Sequence, residues 1–176
     1  MIPTNKKYQI IYADPPWDYQ DSGFTGGIKH HYKGLHITDI CNLPIREIKD
    51  KDCVLFLWAT YPMIREAFLV IDSWGFSYKS IAFQWIKIRK DGEPLIGMGR
   101  WTRGNTEPCF IAVSGKPKRI AKNVSQIIQY PRGKHSEKPP IVRDRILQLM
   151  GDLPRIELFA RDKVDGWDTW MDREKE

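Results

Sequence analysis

Cysteine is scarce: Cys41, Cys53 and Cys109 lie far apart in a chain of 176 residues. An odd number without close spacing makes no disulfide framework. Neither a CxxC nor an HxxxH pattern offers metal ligands, so no metal is expected. Cys53 and Cys109 sit inside apolar runs and read as small core residues. No apolar run approaches the roughly 20 residues of a membrane span. The start, Met1 to Lys7, lacks the apolar stretch of a signal peptide. A cytoplasmic protein with no membrane contact is therefore expected. Gly97-Met98-Gly99 does not extend into GxGxxG, and there is no P-loop, so nicotinamide and ATP chemistry find no support. Internal repeats and low-complexity segments are also absent.

What is present fits one domain, residues 1–176, of 41% hydrophobic composition with a net charge of +6. Between Gly115 and Lys138 stand Lys116, Lys118, Arg119, Lys122, Arg132, Lys134 and Lys138, opposed by Glu137 alone. Two readings of this stretch stay open. It is a solvated loop, or it contacts a phosphate backbone and gains affinity by releasing counterions.

Strand-like runs alternate with helical ones. Residues 8–13, 53–58, 76–88, 110–113 and 155–160 read as strands; 44–48, 62–73 and 139–150 read as helices. Ile141, Ile146, Leu147 and Met150 are the expected inward residues of the last helix, which stops at Gly151. Ile64, Phe68 and Ile71 share a face of the middle one, and Trp58, Trp74 and Trp85 read as core. The alternation predicts an α/β layer fold with a largely parallel sheet flanked by helices. Two stretches lack periodicity: 18–35, and the Gly-rich loop 89–107 that carries Trp101, Arg103 and Asn105. Long loops in compact domains are often functional.

The chemically unusual feature is Asp14-Pro15-Pro16-Trp17, directly after the first strand. Open α/β sheets bind ligands at the carboxyl ends of their strands. Two prolines have fixed φ and no N–H, so the segment is stiff and presents acceptors only. Asp14 adds a carboxylate, and Trp17 a flat face for stacking a base. Such a cluster suits an aromatic amine. Accepting its two hydrogens, by Asp14 and the Pro15 carbonyl, would make the nitrogen lone pair more available, which is stabilisation by preorganised acceptors. The bland alternative is a Pro-Pro turn closing a strand.

With these residues in view, the chain resembles the family named after the 70-kDa methyltransferase subunit MT-A. The resemblance rests on Tyr12-Ala13-Asp14-Pro15-Pro16-Trp17, His31-Tyr32, Leu43-Pro44-Ile45, Leu55-Phe56-Leu57-Trp58, Trp101-Thr102-Arg103-Gly104-Asn105, His135-Ser136-Glu137-Lys138-Pro139, Ile156-Glu157-Leu158-Phe159-Ala160-Arg161 and Gly166-Trp167-Asp168. It implies a Rossmann-like methyltransferase fold with permuted motif order, S-adenosylmethionine as cofactor, and methylation of the adenine amino group in nucleic acid. DNA is favoured over RNA, because the small undecorated chain looks bacterial or phage-like.

The resemblance also implies roles. Lys138 would pair with the methionine carboxylate of the cofactor. Arg161 would lie near it, Asp14 would face its sulfonium, and Asp168 and Asp172 would make polar contacts, its ribose hydroxyls among them. Tyr32, beside His31, would border the target adenine. Trp101, Arg103 and Asn105 sit on the Gly-rich loop that would close over the base; apart from the resemblance, Lys116, Lys118 and Arg119 would reach phosphates on the second reading of the basic stretch. His135 is a proton acceptor or a helix-start residue. One departure stands out: members usually continue Trp-Asp-Thr-Trp-type runs with Gly-Asn, where this chain has Met171-Asp172. That puts cofactor affinity in question. The family includes pairs of related chains, so a homodimer or a related methyltransferase subunit is an implied partner. Competing functions are the same reaction on RNA, a non-catalytic nucleic-acid-binding scaffold subunit, and methylation of a small amine or a glutamine side chain.

Overall fold

The computed structural model describes residues 5–18, 34–97, 99, 101–133 and 137–170. Tyr32, His31, His135, Met171 and Asp172 lie outside the described residues. Seven strands form one sheet in the order β5-β3-β4-β2-β1-β6-β7. They are β1 (Tyr8–Ala13), β2 (Lys49–Trp58), β3 (Ser77–Ile88), β4 (Thr106–Ser114), β5 (Ile127–Pro131), β6 (Arg155–Leu158) and β7 (Asp168–Trp170). β4 alone runs against its two neighbours, β2 and β3, while the other four pairings are parallel. The expected α/β layer fold is therefore present, with one reversed strand.

The centre of the sheet is covered on both faces, which is why Cys53 to Trp58 is a continuous apolar run rather than an alternating one. On one face, Ile11, Ala13, Leu55, Leu57 and Leu158 meet α1 (Ile37–Cys41), α2 (Ile45–Ile48) and α3 (Ile64–Ser73). On the other, Ile10, Tyr12, Val54, Phe56 and Trp58 meet α4 (Ile141–Met150). Trp58, Trp74 and Trp85 are buried, and each indole N–H finds an acceptor: the Tyr12 hydroxyl, the Ile40 carbonyl and the Tyr130 carbonyl. Cys53 and Cys109 are fully buried.

The helices depart from the expected faces. In α4 the inward residues are Val142, Ile146 and Met150, whereas Ile141 is 38% exposed. Pro140 serves as N-cap, so Ile141 opens the first turn and points outward. In α3 the fully buried positions are Ala67, Val70 and Ile71; Ile64 and Phe68 only border the core. β5, β7 and α1 carry too little periodicity over three to five residues to be legible beforehand.

The route of the chain fixes the site. From β1 it crosses α1 and α2 on one face to β2; it enters β6 from α4 on the other face. β1 and β6 are adjacent and parallel. The connections thus diverge between them, which opens a crevice at their carboxyl ends. Among the described residues, no helix is long and apolar enough to cross a membrane.

Candidate active site

Asp14 is the first residue beyond β1, at the lip of this crevice. Facing it is Lys138, two residues before the N-cap of α4. The Lys138 ammonium lies 2.8 and 2.9 Å from the two Asp14 carboxylate oxygens. It also lies 2.9 Å from a Glu107 oxygen at the start of β4. The other Glu107 oxygen takes Lys87, from β3, at 2.9 Å. Four charges therefore alternate in sign, Asp14–Lys138–Glu107–Lys87, with Lys138 and Glu107 buried. The Trp58 ring lies 5.5 Å from the Lys138 ammonium. The resemblance implies a cofactor carboxylate for Lys138; among the described residues its ammonium pairs with Asp14 and Glu107.

Burial pushes the Asp14 carboxyl above the usual carboxylate range, against the pull of Lys138 and Arg161. Glu107 adds to the rise. Burial also opposes the charge of Lys138, but Asp14 and Glu107 outweigh it and hold the ammonium above its ordinary value. Glu107 is driven the other way: burial would raise it, yet Lys138 and Lys87 together bring it below its ordinary value.

The Pro-Pro segment is held as a turn. The Trp17 N–H donates to the Pro15 carbonyl at 2.9 Å, and the Leu35 N–H to Pro16 at 2.8 Å. A carbonyl has two lone pairs, so Pro15 keeps one acceptor site. Trp17 does not stand as an open platform: it is 8% exposed, packed among the core residues, and its indole N–H donates to the Trp58 carbonyl. The face expected to stack a base is spent largely on the core.

At the end of β6, Phe159 adopts φ 61, the one positive φ outside glycine among the described residues. A bulky residue there costs about 1–2 kcal/mol. Such strain clusters at functional sites. It turns the chain so that Ala160 bonds Trp170, Phe159 packs edge-on against Trp170, and Arg161 emerges beside the crevice. Two residues before Phe159, Glu157 is buried and gripped by two guanidinium nitrogens of Arg143, at 2.7 and 2.8 Å. Arg143 also lies over the Tyr12 ring.

Sequence reasoning missed Glu107, Lys87, Glu157 and Arg143. Glu157 is an acid inside an apolar strand run, and that was the available signal. Glu107 fell in the expected loop 89–107, because β4 begins at Thr106, earlier than the apolar run 110–113 suggested. A buried acid in a strand implies a cation opposite it.

The remaining expected residues divide by sheet edge. Trp101 (96% exposed), Arg103 and Asn105 lie between β3 and β4, at the carboxyl edge that carries Asp14. The two arms of their loop approach so closely that a Cβ on Gly97 would sit 2.0 Å from the Gly104 carbonyl oxygen. Lys116, Lys118 and Arg119 are at the opposite edge. β4 runs antiparallel, Ser114 pairs with Cys53, and the Lys116 N–H caps Asp52. The Cys53-to-Trp58 length of β2 separates them from Asp14, roughly 17 Å at about 3.3 Å per residue. Only β5 brings the chain back, with Pro131 beside Ile88, so Arg132 returns to the carboxyl edge. Asp168 is likewise not joined to the cluster. It opens β7 level with Ile156, and its carboxylate accepts from Lys6 at 2.6 Å and the Tyr8 hydroxyl at 2.8 Å, toward the start of β1.

A parallel-centred α/β sheet with a proline-stiffened acidic turn at its topological switch point defines the Rossmann-like methyltransferase class. The MT-A70 family model matches residues 8–173, and the chain belongs to that family. It is 39% identical to the type II methyltransferase M.MunI of Mycoplasma sp, over 94% of this chain and 77% of that protein. It is 26% identical to the N6-methyladenosine RNA methyltransferase MTA1 of Pyricularia oryzae, over 98% of this chain and 48% of that one. It is also 26% identical to the human N(6)-adenine-specific methyltransferase METTL4, over 97% of this chain and 38% of that one. The chain thus spans less than half of these two larger relatives.

Proposed function

We propose that this methyltransferase transfers a methyl group from S-adenosylmethionine to the exocyclic N(6) amino group of adenine in DNA. The observation that carries the reading is the Asp14–Lys138 pair at the carboxyl ends of β1 and β6. Relatives named for adenine or adenosine N(6) methylation support the target atom. DNA is favoured over RNA because the 39% identical relative is a bacterial type II methyltransferase.

The donor set fits the cofactor. Its methionine end is a zwitterion, and the crevice offers cations, Lys138 and Arg161, beside anions, Asp14 and Glu107. Lys138 and Arg161 would hold the carboxylate. Asp14 would face the amino group or the sulfonium, and the departure at Met171-Asp172 bears on the ribose end. The bound group supplies an electrophilic methyl.

The chain's own residues prepare the nucleophile. The target base leaves its stack to reach a strand-end crevice. Asp14 and the free lone pair of Pro15 accept the two amine hydrogens, which concentrates the lone pair on nitrogen. Because both acceptors are fixed before the base arrives, no reorganisation is needed during transfer. In-line placement supplies much of the rate. Trp101, Arg103 and Arg132 are the phosphate- and base-facing groups at this edge. A homodimer or a related methyltransferase subunit would extend that surface.

The test is incubation with labelled S-adenosylmethionine and duplex DNA, single-stranded DNA or RNA, followed by nucleoside analysis. N(6)-methyladenine in DNA is expected, and Asp14→Ala should lower its formation about 100- to 1000-fold, the scale of losing a preorganised polar group. N(4)-methylcytosine, or full activity in the variant, refutes the reading.

A further inference from the structure

Trp101 is the one tryptophan of seven that packing leaves free. Trp17, Trp58, Trp74, Trp85 and Trp167 are buried, and Trp170 packs against Phe159. We propose that Trp101 is a wedge that enters the DNA base stack beside the target adenine and fills the space which that base leaves. The inference rests on the DNA-methylation reading and deepens it, by naming what takes the place of the flipped base.

The shape of the loop suits insertion. At 96% exposure the Trp101 ring has neither face against the protein, so both faces are open to bases. A ring that walled the target pocket would have one face packed. The arms that carry it touch along their backbones: a Cβ on Gly99 would collide with the Thr102 carbonyl oxygen, as one on Gly97 would with that of Gly104. The projection is therefore as narrow as a two-stranded ribbon, a width that the major groove admits. It stands at the carboxyl edge that carries Asp14. Six residues separate Trp101 from Glu107, which shares the Lys138 ammonium with Asp14. At about 3.6 Å per residue at most, the ring lies within roughly 22 Å of that cluster.

The chemistry of the tip suits nucleic acid. Between Pro94 and Thr106 the chain carries Arg100 and Arg103 and no acid, and Ile96 is 76% exposed. Apolar side chains flanked by cations are what unstack base steps. The target adenine must leave its stack to reach the crevice, and unstacking costs free energy. Trp17 does not offset that cost from the pocket side, since its ring is packed in the core. Trp101 between the bases left behind restores a stacking contact on each face. Every base has a π face, so the wedge works whatever the flanking sequence.

The experiment compares binding of the full chain to two duplexes of about 15 base pairs, roughly one and a half helical turns. They are identical except that one carries a central abasic site. Wild type should bind the abasic duplex at least about threefold more tightly, because the gap takes the ring without unstacking. W101A should bind both duplexes alike, W101F should keep part of the preference, and R103A should weaken both in parallel. The emission of Trp101, taken as wild type minus W101F, should be quenched by acrylamide in the free protein and protected in the complex. If Trp101 only held the loop together, W101A would lower both affinities equally and leave the preference in place. If it stacked on the target adenine in the pocket, the intact duplex would bind better. The proposal is overturned if wild type shows no abasic preference, if W101A retains it, or if Trp101 stays as quenchable in the complex as in the free protein. Formation of N(6)-methyladenine in DNA without the abasic preference overturns this inference alone. The preference without adenine methylation overturns the proposed function alone.

Discussion

Lys138→Met gives the most direct probe of the buried charges. The substitution keeps an apolar stem against Trp58 but leaves Asp14 beside Glu107 with no cation between them. Removing one partner of a buried ion pair costs about 3–5 kcal/mol. The folded variant has one escape, which is to protonate Asp14. Holding a carboxyl of ordinary pKa near 4 in its neutral form costs about 1.4 kcal/mol per pH unit above that value. The ceiling is therefore about 5 kcal/mol at pH 7.5 and about 2 kcal/mol at pH 5.5. The sign follows from proton counting. The folded variant binds a proton that the unfolded chain releases, so its stability rises as pH falls. Urea unfolding of wild type and variant at the two pH values reads the difference directly. The expected loss is about 3–5 kcal/mol at pH 7.5, shrinking to about 2 kcal/mol or less at pH 5.5. A loss that is the same at both, or below about 1 kcal/mol at pH 7.5, would show that Lys138 does not hold these carboxylates together.

Four further outcomes are expected. Arg143→Met strands the buried Glu157 and should lower stability by about 3–5 kcal/mol in the same unfolding assay. The acid limb of kcat/KM should lie above the ordinary aspartate range near 4, because burial raises the Asp14 carboxyl and activity falls as pH drops through that raised value; a limb below pH 4 would contradict the assignment. Joint replacement of Lys116, Lys118 and Arg119 by alanine should leave methyl transfer within about twofold, whereas Arg103→Ala should raise KM for DNA and flatten its salt dependence. Gly115→Ala should cost at least about 1 kcal/mol on thermal unfolding, since φ is +69 and the new Cβ would lie 2.2 Å from the Lys51 carbonyl oxygen.

The long apolar runs were legible in the sequence because burial on both faces of a parallel sheet demands them: residues 8–13 and 53–58 fall inside strands. The Asp14-Pro15-Pro16-Trp17 turn was legible because proline stiffness is local. Those two features, with the matches along the chain, were enough for the fold class. The partners of each charge were not legible. Glu107 and Lys87 come from strands separated from Asp14 by about a hundred and about seventy residues of chain, and only the sheet order brings them to Lys138. The direction of β4 is equally a property of pairing, not of composition, and it alone carries Lys116, Lys118 and Arg119 to the far edge while Trp101 and Arg103 stay at the near one. Trp17 shows the same limit: its side chain is suited to stacking, but packing decided that it faces the core. Local stiffness and apolar pattern act within a few residues and can be read along the chain, whereas ion pairing and strand direction act across it and exist only once the sheet has formed.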